Sequence, residues 1–150
     1  MHKSIAAMLV FAALTARADE AAKAAKPPST EEQLMVNPDS VKWKPAPTPG
    51  LPPGAEVAPV AVDPQSGGSV AYARLPGGYH LPMHWHSHAE YSLVVSGKAT
   101  LTDDGQAHPV SAGSYAVIPA KVHHQLVCDQ GSPCVLFTRR AGPADYNFVK

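Results

Sequence analysis

Several features are scarce or missing in this 150-residue chain, and each absence excludes a class of protein. The longest uncharged apolar run, residues 5–14, is only ten residues long, whereas a membrane-spanning helix needs about 20. Lysine plus arginine and aspartate plus glutamate both number 12, with no basic stripe and no acidic block. Charge therefore gives no indication of a nucleic-acid partner, and we predict none. No window of twelve or more residues after Leu51 has a helical period, which argues against a helical domain.

The first twenty residues, MHKSIAAMLVFAALTARADE, have the three-part organisation of a secretory signal peptide. Lys3 gives the positive start, the apolar run follows, and the triplet at residues 16–18 places small residues before a cleavage site. The alternative is an amphipathic N-terminal helix, but no polar face interrupts residues 5–14. We expect a signal peptide over residues 1–18 and a periplasmic or secreted protein without stable membrane insertion after cleavage.

A proline-rich segment follows over residues 19–50. Ten of the chain's 16 prolines lie between residues 27 and 64. Because proline fixes φ and donates no backbone hydrogen bond, this composition predicts an extended arm. Within it, LMVNPDSVKW (residues 34–43) is more apolar, and we expect it to dock on the folded body or to form a homodimer contact. Residues 51–150 suffice for one small domain.

Short alternating runs dominate residues 51–150. They are rich in Val, Tyr, Leu and Phe, and turn sequences such as PQSGG, PGG and DDGQ separate them. The runs cover residues 57–62, 69–75, 90–95, 98–102, 114–119, 124–128 and 134–139. This pattern predicts an all-β domain of eight to ten strands, built as an antiparallel sandwich or barrel.

Four of the eight histidines lie in one segment, GGYHLPMHWHSHAEYSLVVSG, at residues 77–97. Isolated structural histidines, a loose metal-binding tract and one ordered metal site are three interpretations of this crowding. Side chains at i and i+2 of a strand point to the same face, so His84 and His86 project into one cavity. Glu90 has the same parity and reaches the same centre if the segment stays extended or forms a tight loop.

The spacing of these residues resembles the two sequence motifs of the cupin superfamily. The positions that match the first motif are Gly78, His84, His86, Glu90 and Gly97. The positions that match the second motif are Gly113, Pro119 and His124. Lys121 stands at an inner glycine of the second motif, and Cys128 stands at its asparagine. The segment GPADYNFV near the end of the chain is also similar to small single-domain bacterial cupins.

The resemblance implies a cupin-type antiparallel jelly-roll β-barrel over residues 51–150, with a divalent transition metal at one end. Carried over by position, the metal ligands are His84, His86, Glu90 and His124. Such a site suits Zn, Mn, Fe, Ni or Cu. His123 then points to the outside or to a loop, and His88 is an extra imidazole that acts as a second-sphere partner or an alternative ligand. Lys121 puts the geometry of the turn beside His124 in question.

Two cysteines, Cys128 and Cys134, flank the loop DQGSP. Turn chemistry brings such residues face to face across a hairpin, and export favours a Cys128–Cys134 disulfide. The alternative is that Cys128, which shares the strand parity of His124, offers a thiolate to the metal. We favour the disulfide, which for so short a loop stabilises the fold by about 2 kcal/mol.

Two functions are compatible with this site. One is a metal-dependent enzyme on a small molecule, either a dioxygenase or a lyase or isomerase, with Glu90 and His88 as candidates for proton transfer. The other is a non-catalytic sensor or scavenger that binds a metal or a small ligand. Tyr79 and His80 are candidates to line the entrance.

Inward parity predicts a small and mostly apolar cavity. The residues expected to line it are Ser92, Val94, Leu126, Tyr72 and Leu75. We expect Arg139 and Arg140 at the far end of their strand, which leaves Arg74 as the basic side chain nearest the site. A compact, uncharged or weakly polar substrate fits these expectations.

Overall fold

The computed structural model describes Ser29 and residues 34–150, so the predicted signal peptide lies outside the described residues. Within them it contains one 3₁₀ helix, Pro38–Ser40, and eleven strands. The strands are β1 (Lys44–Pro45), β2 (Glu56–Val62), β3 (Ser69–Leu75), β4 (His80–Trp85), β5 (Glu90–Ser96), β6 (Lys98–Asp103), β7 (Gln106–Ser111), β8 (Tyr115–Ile118), β9 (His124–Cys128), β10 (Cys134–Arg140) and β11 (Asn147–Phe148). No helix in this part of the chain is long and apolar enough to cross a bilayer.

The strands form two antiparallel sheets that face one another as a jelly-roll barrel. The first sheet has the order β1-β2-β3-β10-β5-β8, and the second has the order β11-β4-β9-β6-β7. The buried core takes Leu75 and Leu136 from the first sheet and Ala99 and Leu126 from the second. The predicted fold class, an all-β antiparallel jelly roll, is therefore confirmed.

Seven strands occupy the seven predicted runs, with ends that differ by at most one residue. Two longer strands, β4 and β7, are absent from the predicted set. Strand β7 is exposed at five of its six positions and contains Pro109, so its sequence lacks the apolar alternation from which a strand is predicted. It lies at the edge of the second sheet, where proline is tolerated. Strand β4 contains Pro82, and its register against β9 shifts between Leu81 and His84.

A disulfide joins Cys128 and Cys134, with their Cα atoms 5.9 Å apart. The predicted pairing is confirmed, but the predicted hairpin is wrong, because β9 and β10 belong to different sheets. The bond therefore ties one sheet to the other at what we call the disulfide end of the barrel. Since β9 runs from His124 to Cys128 and β10 from Cys134 to Arg140, the opposite end, called the histidine end, carries His124 and Arg140.

The described part of the arm lies along the barrel. Strand β1 pairs with β2, and the Arg74 guanidinium lies 4.4 Å from the centre of the Trp43 ring. Leu34 and Met35, by contrast, are 40% and 87% exposed. Trp43 thus docks on the body, while a homodimer contact through residues 34–43 stays a prediction.

Candidate metal centre

Three histidines converge at the histidine end of the barrel. His84, His86 and His124 each offer a ligand nitrogen, and these atoms all lie within 4.8 Å of one another. Strands β4 and β9 are neighbours, and His84 lies opposite His124 in their register. His86 follows β4 directly. His84, His86 and His124 are only 1%, 2% and 3% exposed, so the cluster is buried.

A backbone carbonyl fixes the orientation of each ring. The Nδ1 atom of His84 hydrogen-bonds to the Pro82 carbonyl oxygen at 2.7 Å. That of His86 bonds to the Asp145 carbonyl oxygen, and that of His124 to the Val122 carbonyl oxygen at 3.0 Å. A carbonyl oxygen can only accept, so each Nδ1 carries the hydrogen, and the Nε2 of a neutral ring is left as the metal-binding atom. Such partners are what orient metal-ligating histidines in proteins.

Burial also keeps two of these rings neutral. Burial and, to a lesser extent, the neighbouring His124 lower the pKa of His84 to about 3. Burial likewise lowers the pKa of His124. Because a metal binds only the unprotonated imidazole, both rings are in the binding-competent form at neutral pH. The donor set, orientation and protonation state therefore fit a divalent transition metal.

Glu90 lies beside this cluster, paired with a buried arginine. Arg140 Nε donates a hydrogen bond to Glu90 Oε2 at 2.9 Å, and Arg140 Nη2 donates to the same oxygen. The same Glu90 oxygen is 3.0 Å from His86 Nε2, and Arg140 Nη2 donates to that nitrogen at 3.1 Å. Arg140 Nη2 thus contacts both the Glu90 oxygen and the His86 nitrogen. A metal bound by these two residues would have to share them with Arg140.

Each charge of this pair stabilises the ionised form of the other. Burial by itself raises the pKa of Glu90, but the Arg140 guanidinium and the His86 ring together hold it well below its ordinary value. Burial lowers the pKa of Arg140, but the Glu90 carboxylate outweighs it and the net shift is upward. Glu90 and Arg140 therefore form an ionised pair inside the barrel.

The expectation that Arg140 lies far from the site is wrong. Strand β10 runs toward the histidine end, and Arg140 lies directly opposite Glu90 in the register of β10 and β5. The two-residue period that turns Leu136 inward also turns Arg140 inward, a signal present in the sequence. Arg139 does face outward, 5.3 Å from the centre of the Tyr91 ring.

Arg74 is also not where it was expected, because its side chain makes its contacts on the outer surface of the barrel. Its Nη2 lies 2.6 Å from Glu56 Oε2, and its guanidinium covers Trp43. Neither partner is one of the three clustered histidines. Arg140, and not Arg74, is the basic side chain at the site.

The C-terminal segment supplies two further residues that sequence reasoning missed. Strand β11 pairs with the end of β4, which brings the Tyr146 ring centre to 5.0 Å from that of His84 and 4.8 Å from that of His86. Arg140 Nη2 also donates to the Tyr146 hydroxyl at 3.3 Å. The Asp145 carboxylate accepts from the Ser87 hydroxyl at 2.7 Å, which fastens this segment beside His86. The segment GPADYNFV was the available signal.

Other predicted residues lie outside the cluster. His88 is exposed, and its ring lies against Gly142, so its proton-transfer role stays a prediction without structural support. His123 is exposed. His80 is exposed and hydrogen-bonds to Gln125 at 3.2 Å. Tyr79 belongs to the core and donates from its hydroxyl to the Pro52 carbonyl at 2.7 Å, so it does not line an entrance.

The turn before His124 keeps the geometry that a glycine would give it. Lys121 has φ +66°, in the left-handed region that glycine adopts without strain. Its N–H donates to the His86 carbonyl at 2.8 Å. This hydrogen bond ties the turn to the backbone of one clustered histidine.

A cavity of about 260 Å³ extends from the histidines into the barrel. Of the predicted lining residues, Ser92, Leu126 and Leu75 border it, whereas Val94 belongs to the buried core and does not. Tyr72 does not, since it packs edge-on against Phe137 with ring centres 5.0 Å apart. His84, Glu90, His124 and Arg140 are at the polar end of the cavity, and alanine, valine and leucine make up most of the rest.

Comparison with known proteins agrees with this architecture. The family model described as "Cupin domain" matches residues 71–138. The polyketide cyclase RemF from Streptomyces resistomycificus is 18% identical with a TM-score of 0.66, over 79% of this chain and 87% of that one. KdgF from Halomonas sp. is 19% identical with a TM-score of 0.59, over 73% and 94%.

A predicted oxalate decarboxylase from Thermotoga maritima is 16% identical with a TM-score of 0.61, over 72% of this chain and 98% of that one. At such identities the similarity shows the fold alone. No protein with curated annotation matches the sequence.

Proposed function

We propose that this chain, a small cupin-superfamily protein whose residues 71–138 match the family model, is a metal-dependent enzyme acting on a small, largely apolar molecule. The observation that carries the proposal is the set of three buried imidazoles, each with its Nδ1 hydrogen on a backbone carbonyl. Nothing in a purely structural role requires three rings to turn their remaining nitrogens toward one point. A metal site does.

His84, His86 and His124 would hold one divalent metal, with Glu90 as the fourth ligand. A bound metal of the Zn, Mn, Fe, Ni or Cu type supplies Lewis-acid polarisation of a substrate oxygen or activation of dioxygen. Glu90 keeps a negative charge beside the site because Arg140 pairs with it. Tyr146 covers the His84 and His86 rings and limits the access of water from that side.

Catalysis is favoured over passive binding because the cluster opens onto a largely apolar cavity. A cavity of this kind holds a small molecule away from water, which strengthens every electrostatic contact in it. Proteins named as a cyclase and as a predicted decarboxylase share the fold. The proposed reaction classes are a dioxygenase and a lyase or isomerase.

The proposed compartment is the periplasm or the exterior of the cell. A disulfide between Cys128 and Cys134 is typical of proteins that fold in an oxidising environment. The signal-peptide pattern of residues 1–18 supports the same location. Fractionation of cells that express the full chain, with N-terminal sequencing of the mature protein, tests it.

The proposal is tested by elemental analysis of the untagged protein purified from the periplasm. We expect close to one equivalent of a single metal, and its loss in His84→Ala and His124→Ala. His123→Ala is the matched control, because His123 is the exposed neighbour of His124 and should retain the metal. Substoichiometric mixed metals that the variants leave unchanged would contradict the proposal.

The identity of the metal then selects the activity assay. Iron directs the search to oxygen consumption, and zinc or manganese directs it to lyase and isomerase reactions. A protein that holds its metal fully but turns over no compound in either search would instead be a binding module.

A further inference from the structure

We propose that the cavity binds a small apolar molecule carrying one negative charge, a carboxylate or an enolate, with the anionic group at the histidine end and the apolar body toward the disulfide end. This inference rests on the proposed function, because the metal supplies part of the charge that attracts the anion. It replaces the uncharged or weakly polar substrate that the sequence predicts, because Arg140 lies at the site.

The first support is the balance of buried charge. Arg140 and Glu90 neutralise each other, and their side chains are only 7% and 9% exposed. The clustered histidines add no charge when neutral, so a divalent metal leaves the polar end with a net charge of about +2. A site with the same histidines and Glu90 but no arginine would carry only about +1. In a poorly solvated cavity this excess favours a ligand with a negative charge.

Asp145 is an ionised carboxylate beside His86, but it pairs with the Ser87 hydroxyl and the Asn147 amide and does not line the cavity. Of the described residues that line it, the remaining charged one is Glu56. Its carboxylate is already paired, 2.6 Å from Arg74 Nη2 and 2.8 Å from Arg74 Nε. Strand β2, which carries Glu56, is next to β3 and not next to β10 or β5. Within the cavity, the negative partner therefore has to come from the ligand.

The second support is the layered order of inward side chains along the first sheet. Arg140 lies opposite Glu90 in the ladder of β10 and β5. Two residues along, Thr138 lies opposite Ser92, so a charged layer is followed by a hydroxyl layer. Each such step is about 6.6 Å.

A third, apolar layer follows. Leu136 lies opposite Val94 on one side and opposite Ala73 on the other. The second sheet repeats the order, since β9 carries His124 in the first layer and Leu126 further along. The cavity thus grades from charged to apolar over about 13 Å, which matches a molecule with one anionic end.

Size restricts the ligand further. At about 260 Å³ the cavity is below the range of about 300–1,000 Å³ typical of ligand pockets. The alanines of β3, Ala71 and Ala73, keep this space open because they have the smallest inward side chains in the ladder. Short monocarboxylic acids fit, whereas nucleotides are too large and sugars are too polar for the apolar part of the lining.

The test compares two ligand series on the metal-loaded full-length mature protein by isothermal titration calorimetry. One series is acetate, butyrate, hexanoate, octanoate and decanoate, and the other is the primary alcohol of each length. We expect each carboxylate to bind at least about tenfold more tightly than its alcohol, with affinity rising along the series until the cavity is full. Equal affinities, or tighter binding of the alcohols, would overturn the inference.

Two variants test whether Arg140 is the source of the preference for carboxylates. In Arg140→Gln the carboxylate preference should fall at least about tenfold, while Arg139→Gln, altered on the outward face of the same strand, should keep it. If Arg140→Gln does not fold, Ala73→Leu provides an independent arm, because it fills the apolar layer without touching the ion pair. It should abolish binding of the longer acids and spare acetate, and unchanged binding of all lengths would contradict the proposed orientation.

Metal content measured on the same samples separates the two proposals. Protein that carries no metal overturns the proposed function and this inference with it. Protein that carries its full metal but does not discriminate between acid and alcohol overturns this inference alone.

Discussion

Replacement of Arg140 by methionine is the perturbation whose effect follows most directly from the structure. The substitution keeps an apolar side chain of some length but removes the guanidinium that contacts Glu90, His86 and Tyr146. Glu90 is then left buried without its partner. Removing one member of a buried ion pair costs about 3–5 kcal/mol, because the remaining charge is neither solvated nor paired.

For a domain of this size, about 4 °C is lost per kcal/mol, so we expect the melting temperature of metal-free Arg140→Met to fall by about 12–20 °C. Urea denaturation followed by tryptophan fluorescence, with a chelator present, measures the free energy of unfolding. Arg139→Met is the control and should change it by no more than about 1 kcal/mol, since Arg139 contributes an exposed cation–π contact with Tyr91. The double variant Arg140→Met, Glu90→Gln should recover most of the loss, because no buried charge remains.

The stability difference between the wild-type protein and Arg140→Met should depend on pH in a defined direction. In the wild-type protein the pKa of Glu90 lies below its ordinary value of 4.5, so the pair's contribution is complete above that pH and is lost as the pH falls through the folded value. In Arg140→Met the largest contribution that opposes burial is gone, so burial shifts the pKa of Glu90 upward relative to the wild-type protein. The stability that the pair contributes at neutral pH is then missing from the variant. The gap between the two proteins should therefore widen from pH 4 to pH 7. A gap below about 1 kcal/mol at pH 7, or one that narrows, would refute the buried pair.

Three further predictions concern stability. Cys128→Ser with Cys134→Ser should lower the free energy of unfolding by about 2 kcal/mol, and an unchanged urea midpoint would mean that the bond between the sheets adds nothing. Lys121→Gly should raise the free energy of unfolding by about 1 kcal/mol, because it relieves a non-glycine residue at φ +66°; a decrease measured by the same method would count against strain at that turn. The metal-free protein should lose stability on acidification, since burial lowers the pKa of His84 from 6.5 to about 3. As the pH falls, the unfolded chain is protonated at this histidine at a higher pH than the folded protein. The free energy of unfolding is therefore highest above pH 6.5 and falls by about 1.4 kcal/mol for each pH unit below that. A free energy of unfolding that does not change between pH 6.5 and 5 would show that His84 is not buried in neutral form.

Strand alternation made much of this fold predictable. The seven runs that became β2, β3, β5, β6, β8, β9 and β10 alternate because one face of each meets the other sheet. Strand β7 has no buried face and so leaves no such pattern. The sequence also predicts that Cys128 and Cys134 pair, but not that the bond crosses between sheets, since a loop of five residues is equally compatible with a hairpin.

The site was predictable where its residues are close in sequence. His84 and His86 are two residues apart, and Glu90 follows after a tight loop, so local geometry brings them together. Arg140 and Tyr146 reach the same point only through the pairing of β10 with β5 and of β11 with β4, which no local pattern encodes. The inward parity of Arg140 was readable, but its partner was not.

The central claim, that three imidazoles bind one metal, is tested most directly by X-ray absorption spectroscopy at the edge of the metal that the purified protein carries. Outer-shell scattering from imidazole rings counts the histidine ligands, and sulfur scattering reveals any cysteine ligand. We predict three imidazoles, light oxygen or nitrogen ligands in the remaining positions and no sulfur, because Cys128 is in a disulfide. Two or fewer imidazoles, or a sulfur ligand, would contradict the account.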